Sequence, residues 1–205
     1  MPMRLALAFA LFLTPLQAWA APNSDAIYRI SADEERRIQK GEIIVHVEET
    51  SEPIKRTLVT GLIDAPPEVV YPIYTDFESY PELFKSARSS QILKRDGDVL
   101  TCKVVMDFPW PLGSRWVTNH TYLDPENTSF TFKKFEGSVR LYEGAMRILP
   151  EGANRSRVIY TAKVDPALPV PAWLVNMISA NYFPMAIERV RDKVEKSAAK
   201  QPKSR

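Results

Sequence analysis

From Ala87 to Val164 the chain keeps a two-residue hydrophobic period, and this constrains the fold more than any other feature. Runs of β-formers at about 87–95, 98–107, 115–124, 128–135, 138–149 and 155–164 predict six strands. Turn clusters punctuate them: Arg95-Asp96-Gly97-Asp98, Asp124-Pro125-Glu126-Asn127 and Glu151-Gly152-Ala153-Asn154. Sequential strands with tight turns form an antiparallel meander, not βαβ units. In the last run Val158, Tyr160, Ala162 and Val164 share one face, and Arg157, Thr161 and Lys163 share the other, which is expected to meet water. The apolar face needs a cover. After the stiff connector Asp165–Pro171, a long helix is predicted from about Ala172 to Ser197. Trp173, Met177, Ala180, Ile187, Val190 and Val194 give it an apolar stripe, and Pro184 is expected to kink it. A curved sheet around one helix is an α+β architecture that encloses an elongated space suited to a ligand.

The upstream segment adds helices and two strands. Ser31-Ala-Asp-Glu34 reads as a capping box, starting a charged helix that runs to about Lys40 and ends at Gly41. Glu42–Glu48 and Arg56–Ile63 alternate as strands. Asp64 is the expected cap of a helix beginning at Pro66-Pro67, with a kink or break at Pro72. A second short helix follows within Asp76–Phe84.

Residues 1–20 read as a secretory signal peptide: Arg4, an apolar run from Leu5 to Leu13, then Ala18-Trp19-Ala20 as an Ala-x-Ala cleavage site. The run is less than half of the roughly 20 residues a membrane span needs. The expected destination is therefore outside the cytoplasm, most simply the bacterial periplasm, after cleavage behind Ala20. The expected division is signal peptide 1–20, an N-terminal segment 21–55 with one helix and one strand, a main domain 56–197, and a disordered tail 198–205.

Composition excludes several functions. Twenty-seven basic against 25 acidic residues is too even a balance for a protein built to grip nucleic-acid phosphates. One Cys and two His cannot by themselves fill a structural zinc site or form an internal disulfide. Seven Gly make a phosphate-cradling loop improbable, and no Gly-x-Ser-x-Gly, His-Glu-x-x-His or Cys-x-x-Cys is present. No cofactor is expected. Cys102 is either a buried small hydrophobe or a reactive thiol. Asn119, Asn127 and Asn154 head Asn-x-Ser/Thr triplets, which matter only in a glycosylating host.

Four segments carry a family resemblance. Gly61-Leu-Ile-Asp-Ala-Pro-Pro-Glu-Val-Val70 followed by Thr75-Asp-Phe-Glu-Ser-Tyr-Pro81 resembles the opening of the START/Bet v 1-like (SRPBCC) superfamily. Asp107-Phe-Pro-Trp-Pro-Leu-Gly-Ser-Arg-Trp116 is similar to the Trp-Pro-Leu…Arg segment of START domains, and Pro169-Val-Pro-Ala-Trp-Leu-Val-Asn176 to the start of their terminal helix. Glu34-Glu35…Gly41-Glu-Ile-Ile-Val45 is similar to exported members. The resemblance covers about residues 32–195 and points to the coenzyme Q-binding and polyketide cyclase-like branch. It implies a helix-grip fold with a deep apolar cavity for lipids, isoprenoid quinones, sterols or aromatic polyketides. Pro72, Gly113-Ser114 and Met146 depart from the pattern.

Arg115 is the first site candidate, because a guanidinium can fork onto a carboxylate, phosphate or quinone oxygen. The alternative is a structural ion pair closing the turn. Trp110 and Trp116 are ligand platforms or core aromatics. Tyr74, Tyr142 and Tyr160 could orient an amphipathic ligand or sit hydrogen-bonded in the core. Leu100, Val104, Met106, Phe108, Met177 and Ile178 are candidates for the apolar wall. His120 shares strand parity with Trp116, so the two are expected on one side, and with His46 it is the only group titrating near neutrality without a large shift. Asp107, Glu136 and Glu143 are carboxylates whose spacing dictates no pair. The first functional expectation is an exported binder of a hydrophobic ligand (lipid, quinone or isoprenoid). Transient membrane contact is allowed, no nucleic-acid partner is expected, and the oligomeric state stays open. A cyclase- or dehydratase-like enzyme using the same cavity, and an interaction protein with a filled cavity, are the alternatives.

Overall fold

The computed structural model describes residues 29–200. The expected signal peptide 1–20, residues 21–28 and residues 201–205 of the expected tail lie outside the described residues. The chain runs α1 (Ala32–Gln39), β1 (Ile44–Val47), β2 (Thr57–Ile63), α2 (Pro67–Thr75), a 3₁₀ turn (Phe77–Ser79) and α3 (Tyr80–Leu83). Then come β3 (Ala87–Asp96), β4 (Val99–Asp107), β5 (Ser114–Asp124), β6 (Ser129–Gly137), β7 (Leu141–Pro150) and β8 (Ser156–Asp165), followed by α4 (Ala172–Tyr182) and α5 (Met185–Lys200). The eight strands form one antiparallel sheet in the order β1-β2-β8-β7-β6-β5-β4-β3. Curved around the C-terminal helices, this is the helix-grip architecture. No helix among the described residues is long and apolar enough to cross a membrane.

The six predicted strands lie within three residues of their expected bounds. The meander holds from β3 to β8. Its closure is nonlocal: β2 pairs with β8 from Thr57↔Ala162 to Ile63↔Ser156. That makes β2 an interior strand, and all seven of its residues are buried. β1 extends the same sheet through Ile44↔Thr60 to Val47↔Thr57, so part of the 21–55 segment is the sheet's edge.

The outer face of β8 does not meet water as expected. Helix α1 lies over this end of the sheet, and its Ile38 forms a small second core with Ile44 and Leu62. The capping box is present, with Glu34 N–H donating to Ser31 Oγ and Ser31 N–H donating to Glu34 Oε2. Arg157, only 9% exposed, holds Glu35 at 2.7 Å and Glu151 at 3.0 Å. Its hydrogen bonds hold both carboxyls below the ordinary value of 4.5.

Proline acts differently at three places. Asp64 does not cap α2: the N-cap is Pro66, with extended backbone and no side-chain bond. Pro72 sits inside α2 without breaking it. The carbonyl deprived of its donor is that of Glu68, an exposed residue, so the loss is small. Pro184 does more than kink the terminal helix; it divides it. Phe183 N–H still donates to Ser179 O, and a new helix starts as Ile187 and Glu188 N–H bond the Pro184 carbonyl. The two pieces then bury independent faces: Val175 and Ile178 on α4, Ile187, Val190 and Val194 on α5.

Two glycines admit close approach. A Cβ on Gly61 would lie 3.1 Å from Arg191 Nη2 and 3.2 Å from Ile43, because α5 crosses β2 there. At Gly144, paired with Phe132 across the β6–β7 ladder, a Cβ would fall within 2.5 Å of the Phe132 ring and collide with the Thr161 carbonyl. Gly144→Ala is expected to lower stability by about 2–4 kcal/mol, measured by urea unfolding, since backbone on one side cannot yield.

The Arg157 cluster gives a pH signature. Carboxyls with depressed folded pKa values stabilise the fold above their unfolded value, and that contribution is lost as pH falls through the folded values. Wild type should therefore lose stability progressively below about pH 4.5. Arg157→Met should flatten that acid limb and cost about 2 kcal/mol at neutral pH, by unfolding at a series of pH values.

Candidate functional site

Between the concave sheet face and the helices lies a cavity of about 180 Å³. Phe77, Tyr80 and Phe84 reach it from the short helical segment, Phe130 and Phe132 from β6, Tyr142 and Met146 from β7, and Tyr160 and Val164 from β8. Val175, Ile178, Tyr182 and Phe183 close it from α4 and the break behind it. The strand alternation puts these side chains on one face, and the rings contact each other. Phe132 lies 4.7 Å from Tyr142 and 6.2 Å from Tyr160, and Tyr160 packs edge-on to Phe183 at 5.4 Å. Tyr80 contacts Phe77 at 5.2 Å and Phe84 at 5.0 Å. At the turn between β4 and β5, Phe108 meets Tyr182 at 5.9 Å, which ties that turn to α4. Gly144 leaves the room that lets Phe132 lie flat over β7.

The tyrosine hydroxyls divide into two groups. Tyr80 donates to Tyr74 O at 2.8 Å, and Tyr74 donates to Ala186 O at 3.1 Å, so both are spent on joining helices. Tyr142 and Tyr160 lie together on the cavity wall, each against the Phe132 ring. Burial raises all four pKa values, with Tyr142 pushed up to about 12. None is a base near neutral pH, but each keeps a proton to donate in a hydrogen bond.

Arg115 lines the cavity near the exposed turn. Its Nη1 donates to the Ser114 carbonyl at 2.8 Å, while Nε is buried without a partner. Among the described residues it forms no ion pair. The carboxylate nearest in register, Asp107, is held by Arg88 through two contacts of 2.9 Å. The structural alternative for Arg115, an ion pair closing the turn, is thus not the arrangement found.

The structure places Val104, Met106, Phe108, Tyr74, Tyr142, Tyr160 and Ile178 on the cavity as expected from their strands and helices. Four candidates lie elsewhere. Trp110 is 91% exposed at the tip of the β4–β5 turn, neither platform nor core. Leu100 is on the inward face but fully buried in the filled part of the core. Met177, 47% exposed, faces outward, because the break at Pro184 frees α4 from the phase of the α5 stripe. His120 does share a face with Trp116, but it is the outer one: its Nδ1 lies 3.2 Å from Thr101 Oγ1 and its ring 4.8 Å from Phe135. Trp116 borders the cavity, while Lys103 Nζ lies 4.8 Å from its ring centroid. Asp107, Glu136 and Glu143 bond Arg88, Thr118 and Arg56 and do not line the cavity.

The odd-numbered face of β5 is the inward one. It carries Arg115, Val117, Asn119 and Thr121. Asn119 and Thr121 are a polar pair missed by a reading that saw only a glycosylation triplet; being in the same parity class as Arg115 was the available signal. Asn119 is buried, so that triplet is closed to modification in the folded protein. Asn119 Nδ2 donates to Thr121 Oγ1 at 2.7 Å. Burial pushes the Cys102 thiol up to about 11. The bland reading of Cys102 therefore fits: Ellman's reagent should label it at a negligible rate in native protein and fully on denaturation.

Residues 63–191, more than half of the chain, match a family described as polyketide cyclase / dehydrase and lipid transport. No curated protein matches. Solved structures share the fold. A START superfamily protein from Mycobacterium smegmatis superposes with a TM-score of 0.62 at 20% identity, covering 69% of this chain and 97% of its own. A STAR-related lipid transfer protein from Xanthomonas axonopodis gives 0.64 at 17% identity, covering 75% and 93%. The Zhui aromatase/cyclase from Streptomyces sp. R1128 gives 0.62 at 15% identity, covering 77% and 95%.

Proposed function

Since the chain belongs to the polyketide cyclase/dehydrase and lipid transport family of the START/SRPBCC superfamily, we propose that it is an exported protein that encloses one hydrophobic small molecule, such as an isoprenoid, a quinone or a single-chain lipid. The observation that carries this reading is the cavity wall: aromatic and aliphatic side chains from five strands and from the helices before β3 and after β8, with few polar groups among them. Removing an apolar ligand from water there contributes roughly 25 cal/mol per Å² buried. At about 180 Å³ the space is smaller than the roughly 300–1,000 Å³ of ordinary ligand pockets. The ligand is compact, or the helices part on loading. The short helices and the start of α4, where Pro72 and Pro171 punctuate the backbone, are the places to open. Export rests on the reading of residues 1–20 as a cleaved address. Arg115, with an unpartnered Nε at the cavity wall, orients the ligand's acceptor group.

A second reading, turnover of a polyketide-like substrate in the same cavity, is favoured by one observation: Tyr142 and Tyr160 line the same cavity as Arg115. The raised pKa values of both tyrosines suit hydrogen-bond donation better than proton abstraction, and His120 is on the other side of the sheet.

Protein purified gently from the periplasmic fraction should begin at Ala21 and release a hydrophobic molecule into organic extract, detected by mass spectrometry. Arg115→Ala should weaken binding of that molecule by about tenfold or more. An empty extract together with no binding across a lipid and quinone panel would sink the proposal; chemical conversion of the ligand during incubation would favour the second reading.

A further inference from the structure

The inward face of β5 holds two buried polar atoms without partners among the described residues, and they are of opposite polarity. Arg115 Nε can only donate; Asn119 Oδ1 can only accept. Both residues line the same cavity. Asn119 is 5% exposed, so its carbonyl does not face bulk solvent. Asn119 Nδ2 donates to Thr121 Oγ1 at 2.7 Å, which leaves Oδ1 as the unpaired end of the amide. A buried carbonyl left unpaired keeps its desolvation cost uncompensated, and a fold would shed such a group for an apolar one of similar size unless something pairs with it. The sheet is also irregular here. The register shifts between Thr118↔Glu136 and Asn119↔Lys134, which leaves Phe135 as an extra, outward residue of β6 opposite Asn119. Such bulges re-aim the side chains beside them.

We propose that Asn119 is a specificity-determining residue whose Oδ1 accepts a hydrogen bond from a hydroxyl on the buried part of the ligand. The inference rests on the binding function proposed above and narrows its class. The preferred ligand carries a donor, as an alcohol, a phenol or a reduced, hydroquinone-type ring does. A fully oxidised quinone, an ester or a plain hydrocarbon offers Asn119 nothing. Arg115 and Asn119 are four residues apart on one strand, a Cα separation of about 13 Å. The donor therefore belongs well away from the acceptor group that Arg115 receives, with apolar body between them.

A matched pair of compact probes tests this. In a purely apolar cavity 2-methylnaphthalene outcompetes 2-naphthol, because the hydroxyl loses its water and gains nothing. With Asn119 accepting, 2-naphthol should bind the wild-type protein about tenfold more tightly, read by displacement of 1-anilinonaphthalene-8-sulfonate. Asn119→Leu should bring the ratio to one or below while 2-methylnaphthalene keeps its affinity, which also shows that the variant is folded. Its thermal midpoint should hold or rise, whereas an asparagine needed only for structure would lower it. Equal affinities in wild type, or a 2-naphthol preference that survives in Asn119→Leu, would overturn the role of Asn119 and leave the hydrophobic-binder reading standing. Failure of both probes to bind wild type would overturn the two together.

Discussion

The carbonyl oxygens of Leu62 and Gly41 both accept from the guanidinium of Arg191, at 2.6 and 2.9 Å, and this contact sets where the C-terminal helix crosses the sheet. It works because Gly61 presents no side chain at the crossing, so Ile187 and Arg191 lie directly against β2. With α5 fixed over the β2 end, Tyr74 reaches the Ala186 carbonyl and Tyr80 reaches Tyr74, and the short helices are drawn in as a second wall. The cavity is what this placement leaves. Val59, Ile63, Val158, Ile187 and Val190 fill one side of the concave face, while the β4–β7 side keeps rings around a void. One half of the fold is packed for stability and the other is left to a ligand.

The break at Pro184 follows from the same division. A continuous helix would carry the α5 stripe through α4 and turn Trp173 and Met177 inward. Because the chain restarts after Phe183, α4 buries Val175 and Ile178 instead and spans the gap to the β4–β5 turn, where Tyr182 meets Phe108. On the opposite face, α1 and the Arg157 cluster protect the interior strands β2 and β8. The outer surface of β4–β6 remains open and carries Trp116, His120 and Phe135. The chain's two histidines thus both lie outside the cavity; His46 is 3.0 Å from Glu34 of α1. What is left inside is a neutral set of hydroxyls and one amide, plus a single guanidinium, which suits holding and orienting better than proton transfer.

Much of this was legible in the sequence, where local rules decide the outcome. The strand bounds follow from period-two patterning and turn residues, the start of α1 from its capping box, and the wall residues Val104, Met106, Tyr142 and Tyr160 from parity. The superfamily was readable from the order and spacing of four short segments. Parity, however, says which residues share a face and not which face is concave. That is why His120 and Trp116 were correctly grouped yet lie on the outer face, with Trp116 only bordering the cavity, and why Asn119 and Thr121, one residue out of step with them, turn out to be inside. Trp110 shows the same limit: an aromatic in a turn can point either way until the turn is placed.

The sequence by itself determined the elements, their order, the amphipathic face of each strand and the family, because these depend on neighbours a few residues away. Only the tertiary structure decided the pairing of β2 with β8, the separate faces of α4 and α5, and, among the described residues, the freedom of Arg115 from any acidic partner and the unpaired carbonyl of Asn119. Those outcomes depend on groups distant in sequence that compete for the same space and the same hydrogen bonds, and no local pattern records who wins.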